Sequence, residues 1–445
     1  MVDTAAPLPW HLRENWAPLL SERTEASLQV DGAIPPELNG TYIRTGPNPK
    51  SGTSPHWFLG DGMVHGIRLR NGKAEWYRNR FVQTPNVTET TDRSVTAPRE
   101  LGRGTANTHV LQHGKQILCL NESSWPWLID QDLNTLGCQN YDGALKCSMT
   151  AHPKVCPETG ELLAFSYFGF SPPFLHYIRV GADGQLKQVE GIDIPHMVMM
   201  HDFSITRRHV IFMDLPLLFK PHLIASGIPF QFDSAAGARL GVMPRTGGNR
   251  DVRWFPIEPC YVFHTVNAFE SGNRIVMHVS KMASAFGADS NDYANVARLW
   301  RWTIDLDAGT VFEDQVDDRA GDFGRVNNSR VGLDARYGYL MSLDGEGNSE
   351  EPIYGSRLYK YDLHNGSRAT HELGKNVRGG EPTFAQSGLG EDEGWVMTIC
   401  HDETSGQSKF VILDAQNFGK PPVATIKLPY RVPYGAHGSW IPLQD

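Results

Sequence analysis

No two of the six cysteines in this chain (Cys119, Cys138, Cys147, Cys156, Cys260, Cys400) form a CxxC pair or a framework spacing. That excludes a disulfide-stapled scaffold and a cysteine-held metal finger, and predicts reduced thiols in a cytoplasmic protein. Long apolar runs are missing too. The nearest approach, Met213 to Phe230, is broken by Lys220 and three prolines, short of the roughly 18 uninterrupted apolar residues of a membrane-crossing helix. It predicts an apolar surface loop, not a span. Met1 to Leu20 mixes Pro, Trp, His, Arg and Glu and lacks the apolar core of a signal peptide. Charge falls in no block: 41 Lys and Arg against 50 Asp and Glu leave −9, spread along the chain. Without a basic stripe a nucleic-acid partner is excluded, and nothing in the pattern indicates a protein partner.

Long amphipathic helical windows are equally scarce, which turns attention to strands. The 44 glycines and 29 prolines are spread throughout, as many short strands joined by tight turns require. Tyr42 to Arg44 alternates and stops at Gly46-Pro47-Asn48-Pro49. His56 to Leu69, Asn71-Gly72 and Ala74 to Val82 read as a hairpin with a two-residue turn. Similar units break at Gly114, Asp183-Gly184, Gly272-Asn273, Gly309, Asn365-Gly366 and within 404–407. The length alone suggests about three domains, yet no linker offers a cut, and all-β propellers routinely exceed that prior as one unit. Residues 1–445 therefore read as a single all-β domain, best suited by a β-propeller. The stretches 83–106, 213–250 and 281–298 are the least strand-like and are expected as loops or short helices inserted on one face.

Four histidines stand near strand ends among small or apolar neighbours: Ala151-His152-Pro153, Met200-His201-Asp202, Phe263-His264-Thr265 and Ala436-His437-Gly438. They lie 49, 63 and 173 residues apart, which fits no local metal motif. Ligands so dispersed can meet only where blades converge, on a propeller axis. Imidazole suits iron, copper and zinc alike, so ligand type alone does not choose the metal.

The blocks Gly40 to Pro49, Gly60-Asp61-Gly62-Met63, Ala151 to Glu161, His201-Asp202-Phe203, Phe263-His264 with Asn267-Ala268, Gly380-Glu381-Pro382-Thr383-Phe384, and His437-Gly438 with Trp440 run in order along nearly the whole chain. Together they resemble the carotenoid cleavage oxygenase family. The resemblance implies a seven-bladed β-propeller with a loop and helix dome over one face. It implies an axial non-haem iron, Fe(II) (Fe2+), held by His152, His201, His264 and His437. Glu122, Glu381 and Asp322 match the acids that take the far N–H of three of those rings, and Thr108 matches a threonine beside the open iron face. Such enzymes split a conjugated C=C bond with O2 into two carbonyl products and need no general base. The expected partners are therefore O2 and a hydrophobic alkene.

Members that cleave phenolic stilbenes or phenylpropenes usually carry a lysine where this chain has Asn121. That departure places a carotenoid or apocarotenoid ahead of a stilbene. Asn121, Phe168, Phe170 and Phe174 are the candidates for the substrate tunnel, and with the 215–230 loop the phenylalanines form a candidate apolar patch for peripheral membrane contact. Two other classes stay open on the residues alone. One is a propeller that only binds, which bound iron and O2 uptake would exclude; the other is a metal-dependent propeller hydrolase such as a lactonase. The latter favours carboxylate and amide oxygens on a hard cation, unlike this histidine-rich set.

Overall fold

Turn chemistry sets the register of the sheets. Between the strands Gly62–Arg70 and Lys73–Phe81, Asn71 and Gly72 take φ of 48° and 73°. That left-handed pair matches the twist of a two-residue hairpin. The hairpins expected at Gly114, Gly184, Gly272, Gly309, Gly366 and within 404–407 all form as antiparallel pairs. The chain is seen here as a computed structural model, which describes residues 8–89, 100–286, 296–344 and 354–443.

The strands make one five-stranded, three four-stranded, one six-stranded and one seven-stranded sheet, with a separate two-stranded ribbon. The seven-stranded sheet is two blades sharing Thr310–Val326, whose first half pairs with Arg298–Asp305 and whose second half pairs with Tyr337–Leu343. Counted that way, the fold is a seven-bladed β-propeller. Both ends of the ring are tied: Gln29–Gly32 pairs with Ala424–Lys427, and Gly40–Pro47 with Gly438–Pro442. Each pairing joins a strand from one end of the chain to a strand from the other, so the ring is closed by hydrogen bonds at two places. Blades pack through apolar side chains, with Phe203, Phe212, Phe255 and Trp302 fully buried in the largest cluster. Each such aromatic, taken out of water, contributes about 1.5–3 kcal/mol.

Seven chain segments lie on the axial side of the blades: Gly438–Pro442, His109–His113, Lys154–Val155, Ser204–Ile205, Tyr261–Ser271, the second half of Thr310–Val326, and Thr383–Gln386. Side chains at or beside these strands converge, one from each blade: His437, Glu122, His152, His201, His264, Asp322 and Glu381.

The expectation for 213–250 needs correcting. The chain leaves His209–Asp214, forms the ribbon Leu217–Phe219 with Phe230–Phe232, and re-enters a blade as the strand Ala238–Pro244. Gly241 and Pro244 hide that strand in the sequence. Gly241 belongs there because a Cβ would lie 2.6 Å from the Trp254 ring. The loop read as surface-exposed is also mostly interior, since Leu215, Leu217, Leu218 and Phe230 are buried. In 83–106, the short helices Pro85–Thr88 and Leu101–Arg103 flank residues 90–99, which lie outside the described residues. In 281–298, strands reach Met282 and resume at Arg298, with 287–295 likewise outside. All six cysteines are free, and no described helix is long and apolar enough to cross a membrane.

Candidate metal centre

Two irregularities in strand pairing aim side chains at the axis. Pairing of Tyr261–Ser271 with Arg274–Met282 slips between Val262 and Thr265, around His264. Pairing of Thr310–Val326 with Tyr337–Leu343 slips between Asp322 and Arg325. A bulge of this kind bends the strand and redirects its side chains. Inside the second slip Phe323 has φ 58°, rare for an aromatic residue, and its N–H donates to Asp322 Oδ1 at 2.8 Å. Its ring then lies 4.7 Å from that of His264 and 5.2 Å from that of His437.

His152, His201, His264 and His437 are all buried, and one ring nitrogen from each lies within 4.8 Å of the others. His152 Nε2 is 3.0 Å from His201 Nε2, which is 3.3 Å from His264 Nε2. The opposite nitrogens face carboxylates. His437 Nδ1 donates to Glu381 Oε1 at 2.8 Å, His201 Nδ1 contacts Glu122 Oε1, and His264 Nδ1 lies 2.9 Å from Asp322 Oδ1 at an oblique angle. A proton held on Nδ1 by an acid leaves Nε2 as a bare lone pair. Bare acceptors crowded together repel unless a cation lies between them, so the donor set fits a metal ion. The four buried histidines are a metal site.

Electrostatics favour the neutral ring at two of the four histidines. Burial, reinforced by the neighbouring His201, holds His152 well below the ordinary histidine range, and burial with His264 does the same for His437. For His264, burial is outweighed by Asp322 and the net shift is upward. Among the described residues no carboxylate pairs with His152.

The second oxygens of both glutamates are also taken. Glu122 Oε2 accepts the Tyr167 hydroxyl, and Glu381 Oε2 accepts the Gly438 N–H at 2.8 Å. On one side of the histidines a cavity of about 550 Å³ is lined by Lys154, Asp202, Arg325 and Glu381. There Lys154 Nζ lies 2.8 Å from Asp202 Oδ1, and despite burial this cation keeps the Asp202 carboxyl below its usual range.

Thr108 is half-buried; its hydroxyl donates to Asn107 Oδ1 at 2.9 Å and its carbonyl accepts the His437 N–H at 3.0 Å. Asn121 is buried in a turn, donating to Ser123 Oγ at 3.1 Å and accepting from the Ser124 hydroxyl. The tunnel candidates continue an aromatic row that starts at Tyr167. Phe168 lies 4.7 Å from Tyr167 and 6.1 Å from Phe230; Phe230 meets Phe219 at 5.8 Å, and Phe219 meets Phe170 at 5.7 Å. Phe170 ends the row at the surface, 65% exposed, while Phe174 is half-buried against the same cluster.

Sequence reasoning missed Tyr167, Phe323, His109 and Arg325. His109 is a fifth histidine packed against the cluster, buried, with its ring centroid 5.8 Å from that of His152 and 5.3 Å from that of His437. Its sequence context reads only as the start of a strand, and no local signal separates it from a core histidine.

Seven blades around an axis ringed by four buried imidazoles, three of them facing acids, define a propeller with a histidine cluster able to hold a metal. Residues 16–442 match the family described as Retinal pigment epithelial membrane protein. A carotenoid cleavage oxygenase of Mycobacterium tuberculosis is 35% identical, covering 96% of this chain and 96% of its own. A carotenoid 9,10(9',10')-cleavage dioxygenase of Crocus sativus is 33% identical over 97% of this chain and 89% of its own. Among solved structures, the lignostilbene dioxygenase of Pseudomonas brassicacearum superposes with a TM-score of 0.89 at 29% identity, covering 99% of this chain and 100% of that one. An apocarotenoid oxygenase of Synechocystis gives 0.85 at 26%, covering 96% and 98%. The chain belongs to the carotenoid cleavage oxygenase family.

Proposed function

We propose that the protein is a non-haem Fe(II) dioxygenase that cleaves a conjugated C=C bond of a carotenoid or apocarotenoid with O2, giving two carbonyl products. The observation that carries this is the convergence of four imidazole nitrogens in a buried site, three of the rings backed by acids. His152, His201, His264 and His437 would hold the iron, with Glu122, Asp322 and Glu381 fixing the tautomers of three rings. Iron held by four neutral ligands supplies open coordination positions and the redox capacity for O2 to react with an alkene. The protein's own task is then placement and exclusion of water. Thr108 is tied to His437 through the backbone, its carbonyl taking the main-chain N–H of that residue, and the row from Phe168 to Phe170 offers an apolar wall leading outward.

The substrate class rests on Asn121. Its amide is engaged by Ser123 and Ser124, and an uncharged amide does not hold a phenolate as a lysine would. A polyene needs no such anchor, because burial alone positions it at about 25 cal/mol per Å². A phenolic stilbene is the second reading, favoured by the likeness to the lignostilbene dioxygenase. Peripheral membrane contact now rests on Phe170, the exposed end of the row.

The test is iron content of protein purified without chelator, followed by side-by-side assay of an apocarotenal and a hydroxylated stilbene under O2. One iron per chain and two aldehyde fragments from the apocarotenal are expected. Cleavage of the stilbene with no turnover of the apocarotenal would replace the substrate class, and absence of iron would remove the reading altogether.

A further inference from the structure

Three ligand rings have an acid from another blade to orient them, and the fourth does not. His152 is preceded by Ala151, whose carbonyl lies 2.8 Å from His109 Nδ1. A ring that donates from Nδ1 presents Nε2 as an acceptor, and here Nε2 faces Arg325 Nη1 at 3.4 Å. The same Nη1 is 3.6 Å from Glu381 Oε1, the oxygen that takes the His437 Nδ1–H. A single polar chain therefore runs from the backbone beside His152, through His109, Arg325 and Glu381, to His437. With both nitrogens so committed, His109 is not itself a ligand.

We propose that His109 and Arg325 are positioning residues of the metal centre, a bridge across the axis that fixes His152 relative to His437. The inference rests on the metal-centre reading above. A hydrogen bond to the backbone carbonyl next to His152 anchors the chain that carries that ligand, whereas the carboxylates act directly on the rings of the other three. Arg325 adds a charge effect. Its guanidinium offsets the buried Glu381 carboxylate, so removing it concentrates negative charge behind His437 and favours the oxidised metal.

The experiment uses the full chain stripped of metal and titrated with Co(II) against a competing chelator, with the visible Co(II) spectrum recorded at saturation. His109→Leu, which offers neither donor nor acceptor, is expected to weaken Co(II) binding about 10- to 100-fold and shift the spectrum. His109→Gln keeps one donor and one acceptor and should recover much of both. Arg325→Met should weaken binding in the same range, and on the iron form it should lower the reduction potential, while Arg325→Gln keeps the donors and recovers part of the affinity. The double variant His109→Leu with Arg325→Met should be little worse than the weaker single one, since both break one chain. Should His109→Leu fail to fold, the Arg325 pair decides, because that side chain lines the cavity and is 18% exposed. Wild-type affinity and spectrum in the folded His109→Leu and Arg325→Met proteins would overturn the bridge. A wild-type protein that bound no Co(II) would instead sink the metal-centre reading, and the bridge with it.

Discussion

Replacing Glu381 by Gln exchanges an acceptor for a donor where both acceptors are in use. Oε1 takes the His437 Nδ1–H and Oε2 the Gly438 N–H, each at 2.8 Å, and the residue is 2% exposed. Glutamine satisfies one of these and turns its own NH2 toward the other. Either the Gly438 N–H is orphaned, at a cost of about 1–3 kcal/mol, or His437 loses the tautomer that points Nε2 at the centre. Arg325, 3.6 Å away, loses its counter-charge as well. Glu122 differs in a way that matters. Its second oxygen takes a hydroxyl, that of Tyr167, and a hydroxyl can rotate to accept from a glutamine NH2. Glu381→Gln should therefore weaken metal binding roughly 10- to 100-fold, about 1.4–2.7 kcal/mol, and Glu122→Gln should weaken it less. The assay is anaerobic Fe(II) titration of both variants against a chelator, with far-UV circular dichroism as the fold control. Wild-type affinity at Glu381→Gln, or a greater loss at Glu122→Gln, would refute the reasoning from acceptor count.

Alanine at His152, His201, His264 or His437 should each remove iron and activity from a protein that still folds, read by metal analysis and circular dichroism; full iron occupancy in all four would undo the ligand assignment. Asn121→Lys is expected to leave iron content unchanged and to lower KM for a hydroxylated stilbene, and unchanged kinetics on both substrate classes would show that this position does not face the substrate. Phe170→Ser should reduce co-flotation with lipid vesicles while leaving turnover of a detergent-solubilised apocarotenal intact; equal flotation would remove the membrane reading. Burial alone would raise the Glu270 carboxyl, yet Thr206, His209 and Arg208 hold it at about 2 against an ordinary 4.5. A depressed folded value contributes stability above pH 4.5 that is lost as pH falls through about 2. Glu270→Gln should accordingly melt below wild type at neutral pH, with the gap closing on acidification; a gap that stayed constant with pH would count against that pairing.

Much of the fold is legible because turn residues punctuate it: Asn71-Gly72 and the later glycine turns mark hairpins between short strands. Ala238–Pro244 is illegible for the opposite reason, since Gly241 answers to the Trp254 ring and not to the local pattern. The four histidines are visible as residues but not as a site, because their spacing follows blade order and no local motif; the resemblance of collinear blocks is what groups them. Tyr167 and Arg325 escape even that. Tyr167 meets Glu122 across 45 residues, and Arg325 meets His109 across 216, contacts fixed only by which blade neighbours which and by a slip in one ladder.

The seam of the ring has a consequence for how the protein is made. His437 immediately precedes Gly438–Pro442, the strand that completes the sheet begun by Gly40–Pro47. On the ribosome Gly40–Pro47 emerges early and waits, one edge unpaired, while His152, His201 and His264 are synthesised and left without their fourth companion. The closing strand and the fourth histidine therefore arrive together, at the end of this stretch of synthesis. Until they do, the exposed edge of Gly40–Pro47 is a template for stray pairing. A chain that stops anywhere before His437 lacks both the strand that shuts the ring and the last member of the histidine set.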